Sequence, residues 1–84
     1  MPAKVTIYTG SFCGYCSAAL RLLAIKEANY EEIKVSQDRE LREEMEQRSG
    51  RHTVPQIFIG DRHVGGYDDL ADLEQSGELD KLLA

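Results

Sequence analysis

Between Lys4 and Tyr8 the side chains alternate, Val5 and Ile7 on one side, Thr6 and Tyr8 on the other. That period of two, in β-branched and aromatic residues, predicts a strand. Thr9-Gly10-Ser11-Phe12 interrupts it, and the period then changes. From Gly14 to Ala28, Cys16, Ala19, Leu20, Leu23 and Ala24 recur at i, i+3, i+4, i+7 and i+8, one buried helical face. Tyr30 to Val35 predicts a second strand, with Ile33 and Val35 opposite Glu32 and Lys34. Asp38 is placed to cap a second helix running to about Ser49, with Gly50 as its stop. That helix is charged almost all round. Leu41 and Met45 are its only apolar stripe, so it belongs on the surface over one sheet face. Gln56 to Ile59 and Arg62 to Val64 read as a hairpin turning at Gly60-Asp61. Gly65-Gly66 breaks the pattern, and a third helix starts at Asp68 or its neighbours, carrying Leu70 and Leu73 to Ser76-Gly77. Leu79, Leu82 and Leu83 predict a final docked turn.

The resulting order, β-α-β-α-β-β-α, has a definite topology. Strand, helix and strand at the start form a βαβ unit, hence parallel strands and a right-handed crossover. The last two strands are antiparallel. A four-stranded mixed sheet with helices on both faces buries every stripe named above, an α/β fold. Its 84 residues make one domain, residues 1–84, and 42% hydrophobic content suffices for a modest core. Acidic residues (15) outnumber Lys and Arg (10), for a net charge of -5. That balance argues against nucleic acid and anionic membrane as partners, since both attract basic faces. No apolar run approaches the ~20 residues of a membrane helix. Met1-Pro2-Ala3-Lys4 leads into a strand rather than into a signal peptide's apolar core, so the expected address is the cytoplasm.

Chemistry enters with Cys13 and Cys16, the two cysteines of the chain. One pair is too sparse for a disulfide scaffold. Zinc would need two more ligands, and His52 and His63 sit at no common finger spacing; both read as solvated surface. A C-x-x-C between a strand and a helix has its own physics. Cys13 falls where the helix leaves its first N–H groups unpaired, and those donors and the helix dipole favour a thiolate. Cys13 is therefore the expected nucleophile. Cys16, one turn on and on the buried stripe, is the expected resolving thiol. Packing alone explains many buried cysteines, but not this spacing in a βαβ unit, which reads as a redox motif.

Tyr8-Thr9, Cys13-Gly14-Tyr15-Cys16, Thr53-Val54-Pro55-Gln56 and Gly65-Gly66-Tyr67-Asp68-Asp69 stand in register over essentially the whole chain. Together they resemble the glutaredoxins, specifically the short dithiol type found in bacteria. The resemblance implies a thioredoxin-like fold and a glutathione-dependent thiol–disulfide oxidoreductase with catalytic Cys13 and Cys16. It implies glutathione contacts from Tyr15, Thr53, Val54, Pro55, Gly66, Tyr67, Asp68 and Asp69, with a cis bond at Pro55 that turns the Val54 backbone outward beside Cys13. Residue chemistry agrees: Gly65-Gly66 permits close backbone approach, the following helix offers N–H groups to a carboxylate, and Asp68 or Asp69 can accept from an α-amino group. Such a receptor for a zwitterion suits the γ-glutamyl end of glutathione.

Glutathione is then reductant and co-substrate, with no tightly bound cofactor. Disulfide-containing or glutathionylated proteins are the other partners, and the expected state is a monomer. The alternative implied by the resemblance is a carrier of a [2Fe-2S] cluster, held between two protomers by Cys13 and glutathione from each. Gly14, in place of the family's usual Pro, keeps that alternative open. Two other departures stand out. Gly10 occupies the place of a frequent Lys, for which Arg39, Arg42 and Arg51 are candidate substitutes, and Tyr67 replaces a frequent Cys.

Overall fold

β1 (Lys4–Thr9) is the strand on which the rest of the sheet is laid. The computed structural model describes residues 3–84. α1 (Gly14–Ile25), β2 (Asn29–Lys34) and α2 (Arg39–Ser49) follow β1. The chain then runs through β3 (Gln56–Ile59), β4 (Arg62–Gly65), α3 (Tyr67–Ser76) and α4 (Glu78–Leu83). The sheet order is β2-β1-β3-β4. β1 pairs parallel with β2 and antiparallel with β3, and β3 pairs antiparallel with β4. The parallel β1–β2 pair and the antiparallel β3–β4 hairpin are those the pattern predicts, and the antiparallel β1–β3 pairing joins them into one sheet. The final docked turn is a short helix, α4.

The alternation in β1 and β3 sorts the core into two layers. Val5, Ile7, Ile57 and Ile59 face Ala19 and Leu23 of α1, Leu70 of α3 and Leu79 of α4. Tyr8 and Phe58 point the other way, packing with Val35 and with Met45 of α2. From Ile7 to Thr9 β1 is buried throughout, and its one polar side chain there is hydrogen-bonded: Thr9, 2% exposed, donates from Oγ1 to Glu32 Oε2 at 2.7 Å. Among the described residues no helix is long and apolar enough to cross a membrane.

α2 begins and ends where its caps dictate. Asp38 Oδ1 accepts from Leu41 N–H at 3.0 Å, and Gly50 turns left-handed at φ 71°. α1 departs from expectation, ending at Ile25 rather than Ala28. The stop is a Schellman turn: Glu27 N–H donates to Ala24 O and Ala28 N–H to Leu23 O, both at 3.0 Å. Glu27, at φ 54°, holds the left-handed position that glycine usually takes. Lys26 anchors the turn, its Nζ 2.7 Å from Glu74 and 3.0 Å from Asp80. Smaller shifts affect the strands: β1 extends to Thr9, β4 to Gly65, and β2 spans 29–34 instead of 30–35, although Val35 stays buried and donates to Thr9 O.

Met45 is the fully buried residue of α2, and Leu41 and Val54 close around its cluster. Met45→Ala is therefore expected to destabilise by about 2–5 kcal/mol, and Asp38→Ala, at an exposed cap, by about 1 kcal/mol. Denaturant unfolding of the two variants measures both; a Met45→Ala loss no greater than that of Asp38→Ala would contradict the anchoring role of Met45.

Candidate active site

β1 delivers the chain to the N-terminus of α1. Val35 N–H to Thr9 O (2.9 Å) and Ser11 N–H to Ser36 Oγ (2.6 Å) tie the intervening loop to the end of β2. Phe12, at φ 53° and fully exposed, makes the last reversal before Cys13. Cys13 is the N-cap of α1. Its Sγ accepts from Cys16 N–H at 3.3 Å, in the position where Ser or Asp oxygens usually cap a helix. No acidic residue occupies the first turn, so sulfur alone meets the orphan donors and the dipole.

The two thiols lie in different surroundings. Cys13 is half-buried; Cys16 is 3% exposed. Burial, with the hydrogen bond to Cys13 adding to it, pushes the Cys16 thiol up to about 12. Both cysteines are free thiols.

The Cys13 thiol also points at Val54 O, 3.8 Å away. Val54-Pro55 is a cis peptide bond, as the resemblance implies. Beyond Val54 opens a cleft of about 200 Å³, lined by Tyr15, Arg51, Thr53, Val54, Pro55, Gly66, Tyr67, Asp68 and Asp69. Every residue expected to touch glutathione lines this one cleft, and Arg51 joins them. Tyr15 and Tyr67 rings, 6.3 Å apart, flank it. At its far end Gly66 caps α3, and Asp69 Oδ2 reaches back to accept Gly66 N–H at 3.0 Å. Asp69 thus carries the cap, while the exposed Asp68 carboxylate stands beside it. Gly65 sits beneath at φ 119°, where an added Cβ would lie 2.3 Å from Asp69 Oδ2; only glycine fits.

Three arginines were candidates for the cation absent at Gly10. Arg39 pairs along its own helix with Glu43 (3.8 Å), and Arg42 donates to His52 O at 2.8 Å. Arg51 alone of the three lines the cleft, its Nη1 3.3 Å from Asp69 Oδ2. At Gly10 itself the chain is tight: a Cβ would meet Val54 Cγ2 at 3.0 Å and Ser36 Oγ at 3.1 Å. A lysine there would press on the wall beside Cys13.

His52 is exposed as expected, but His63 is a correction. It is half-buried against Phe58, with ring centroids 4.9 Å apart, and its Nε2 lies 2.7 Å from Gln56 Oε1. Strand alternation carries the missed signal: a bulge between Ile57 and Phe58 leaves His63 directly opposite Phe58, on the covered face.

A thioredoxin-like sheet with a dithiol at the N-terminus of its first helix defines a class of redox proteins. Comparison with known proteins narrows it. A glutaredoxin family model matches residues 5–64. A glutaredoxin of Neisseria meningitidis is 54% identical over 80 residues, 94% of each chain. The solution structure of glutaredoxin from Brucella melitensis superposes with a TM-score of 0.85 at 56% identity, over 98% of this chain and 89% of that one. The crystal structure of a buckwheat glutaredoxin–glutathione complex gives 0.86 at 30% identity, over 96% and 76%. The chain belongs to the glutaredoxin family, and its activity is that of a thiol–disulfide oxidoreductase.

The unequal burial of the two thiols has a measurable consequence. In the reduced protein, alkylation of Cys16 should stay slow across neutral and mildly alkaline pH and rise only toward pH 12, whereas a free thiol gains reactivity near ~8.5. Mass mapping of iodoacetamide adducts against pH reads this directly, and Cys16 labelling as an ordinary thiol near pH 9 would refute it.

Proposed function

We propose that this chain is a glutathione-dependent reductase of protein disulfides and glutathione mixed disulfides, acting as a monomer in the cytoplasm, where the thiols stay reduced. The observation that carries the reading is one of adjacency. The Cys13 sulfur sits beside Val54 O, and Val54 is one wall of the cleft that ends in the N-terminus of α3 and two carboxylates. An extended tripeptide fits this arrangement, with its thiol toward Cys13. Its backbone would pair with Val54 as an added strand does. Its γ-glutamyl carboxylate would meet the N–H groups of α3 and its α-amino group Asp68 or Asp69. Arg51 supplies a guanidinium for a carboxylate of the ligand. The buckwheat relative, solved as a glutathione complex, supports the same partner for this fold.

The chemistry balances as four successive exchanges, two that reduce the substrate and two that restore the dithiol. The Cys13 thiolate attacks a substrate disulfide sulfur; that S–S bond breaks and the departing thiolate takes a proton. Cys16 loses its proton and attacks Cys13 Sγ, releasing the reduced substrate and leaving a Cys13–Cys16 disulfide. One glutathione thiolate opens that bond at Cys13, and a second removes the first as glutathione disulfide. Two electrons come from two glutathiones. Glutathione mixed disulfides need Cys13 alone.

The cluster-carrier alternative would take one ligand from each chain, since Cys16 is buried with its proton held. Cys13 would be that ligand, and glutathione and a second chain would supply the remainder of the four. Visible absorption bands in freshly purified protein would favour it over the reductase reading.

Cys13→Ser should abolish turnover of a glutathione mixed disulfide, and Cys16→Ser should retain it while accumulating glutathionylated protein on mass analysis. Equal inactivity of both variants would reverse the assignment. For the γ-glutamyl end, Asp68→Ala and Asp69→Ala are expected to raise the KM for glutathione, at least one of them about tenfold or more, the scale of a lost charge-assisted hydrogen bond. An unchanged KM in both folded variants would leave these carboxylates as helix caps.

A further inference from the structure

The wall of the cleft nearest Cys13 has a buried support. Thr53 is exposed on the cleft, one residue before Val54, yet its backbone and hydroxyl are both held from beneath. Gln56, fully buried at the start of β3, donates from Nε2 to Thr53 O at 3.0 Å and to Thr53 Oγ1 at 3.2 Å. A carbonyl oxygen only accepts, so the amide must present its NH₂ group to Thr53. The orientation of Gln56 is thereby fixed, and its Oε1 must face His63. Oε1 in turn only accepts, so the ring nitrogen 2.7 Å away must carry a hydrogen. The tautomer follows: His63 donates from Nε2–H.

His63 is itself clamped. Its ring lies on Phe58, whose face also carries the Arg48 guanidinium at 4.2 Å. Arg48 donates to Tyr8 OH at 2.8 Å, and that hydroxyl donates to Glu44 at 2.6 Å. Burial, with the nearby Arg51 charge, holds the His63 imidazole below its usual range against the opposing pull of Asp69. A neutral ring with its hydrogen on Nε2 suits a donor to a buried amide.

We propose that His63 is a positioning residue for this reaction: through Gln56 it locks the Thr53-Val54 wall at the distance from Cys13 at which glutathione, or the glutathione half of a mixed disulfide, is bound. The inference rests on the glutathione reading above and adds to it a residue that touches neither ligand nor sulfur. Without the His63 donor, Gln56 Oε1 is buried without a partner. The amide then gains by rotating toward any other donor, and each rotation presents an oxygen to Thr53 O. The wall loosens, while α1 and the Cys13 cap are untouched. The expected signature is therefore a rise in KM with kcat nearly kept.

Steady-state turnover of a glutathione mixed disulfide, with glutathione as reductant, tests this in wild type and three variants. His63→Leu removes the donor. His63→Asn keeps a polar side chain but is too short to reach Gln56, and serves if the leucine variant fails to fold. His63→Gln places an amide NH₂ where Nε2–H stood. His63→Leu and His63→Asn should raise KM about three- to tenfold, the scale of one lost positioning hydrogen bond. Their kcat should stay within about twofold of wild type, and His63→Gln should restore the wild-type KM. An unchanged KM in the first two, even with a lowered Tm, would overturn the proposal and leave His63 a packing residue. So would an equal rise in all three variants. Wild type without glutathione-dependent turnover would instead refute the glutathione reading itself, so the two failures are distinguishable.

Discussion

A helix cannot hydrogen-bond its own first N–H groups, and in this molecule the group that meets them is a sulfur. At the start of α1 the side chain of Cys13 takes the place of a hydroxyl or carboxylate cap, and no acid in the first turn competes with it. Sulfur is a poor acceptor as a thiol and a good one as a thiolate. The contact that caps the helix therefore also aims a backbone N–H at the Cys13 sulfur. The rest of the fold has to bring the chain to this point. β1, buried between β2 and β3, ends at Thr9, and the loop that follows is pinned to β2 at Thr9 and Ser36.

One residue type performs two tasks three positions apart because a helix turns its side chains through different surroundings. Cys13, before the first turn, keeps access to solvent and faces Val54. Cys16 falls on the stripe with Ala19 and Leu23, where burial holds its proton. The pair is thus unequal before any substrate arrives: one sulfur is accessible and the other is buried.

Local signals in the chain were enough for most of the architecture. Asp38 and Gly50 bracket α2 because capping is decided within four residues. The alternation in β1 and β3 sorts the two core layers because strand side chains alternate whatever lies beyond. Failures occur where a distant contact decides. α1 stops at Ile25 since Glu27 accepts a left-handed backbone and Lys26 finds Glu74 and Asp80, partners some fifty residues away in sequence that no local pattern reveals. His63 looked like surface because a single-residue bulge sets its register and its partner is a buried amide on another strand. In the cleft, the motifs at 53–55 and 66–69 were legible as short strings. That Arg51 rather than Arg39 or Arg42 faces them was not, since it depends on how the α2–β3 loop leaves Gly50.

The location of positive charge has consequences for how this site works. At Gly10 the backbone packs so closely on Val54 and Ser36 that even a Cβ is crowded, so a longer side chain at this position would have to displace them. Arg51 arrives instead against Asp69 and above Gly65, at the α3 end of the cleft. Its charge is largely spent on Asp69 and half exposed to solvent, where an ion pair contributes under about 1 kcal/mol. At Cys13 the groups that face the sulfur include the fixed N–H of α1, which is oriented by the fold and needs no side chain to settle. The dithiol on α1 and the charged end of the cleft, on α3 and the α2–β3 loop, thus sit on separate elements, with the Thr53-Val54-Pro55 wall between them.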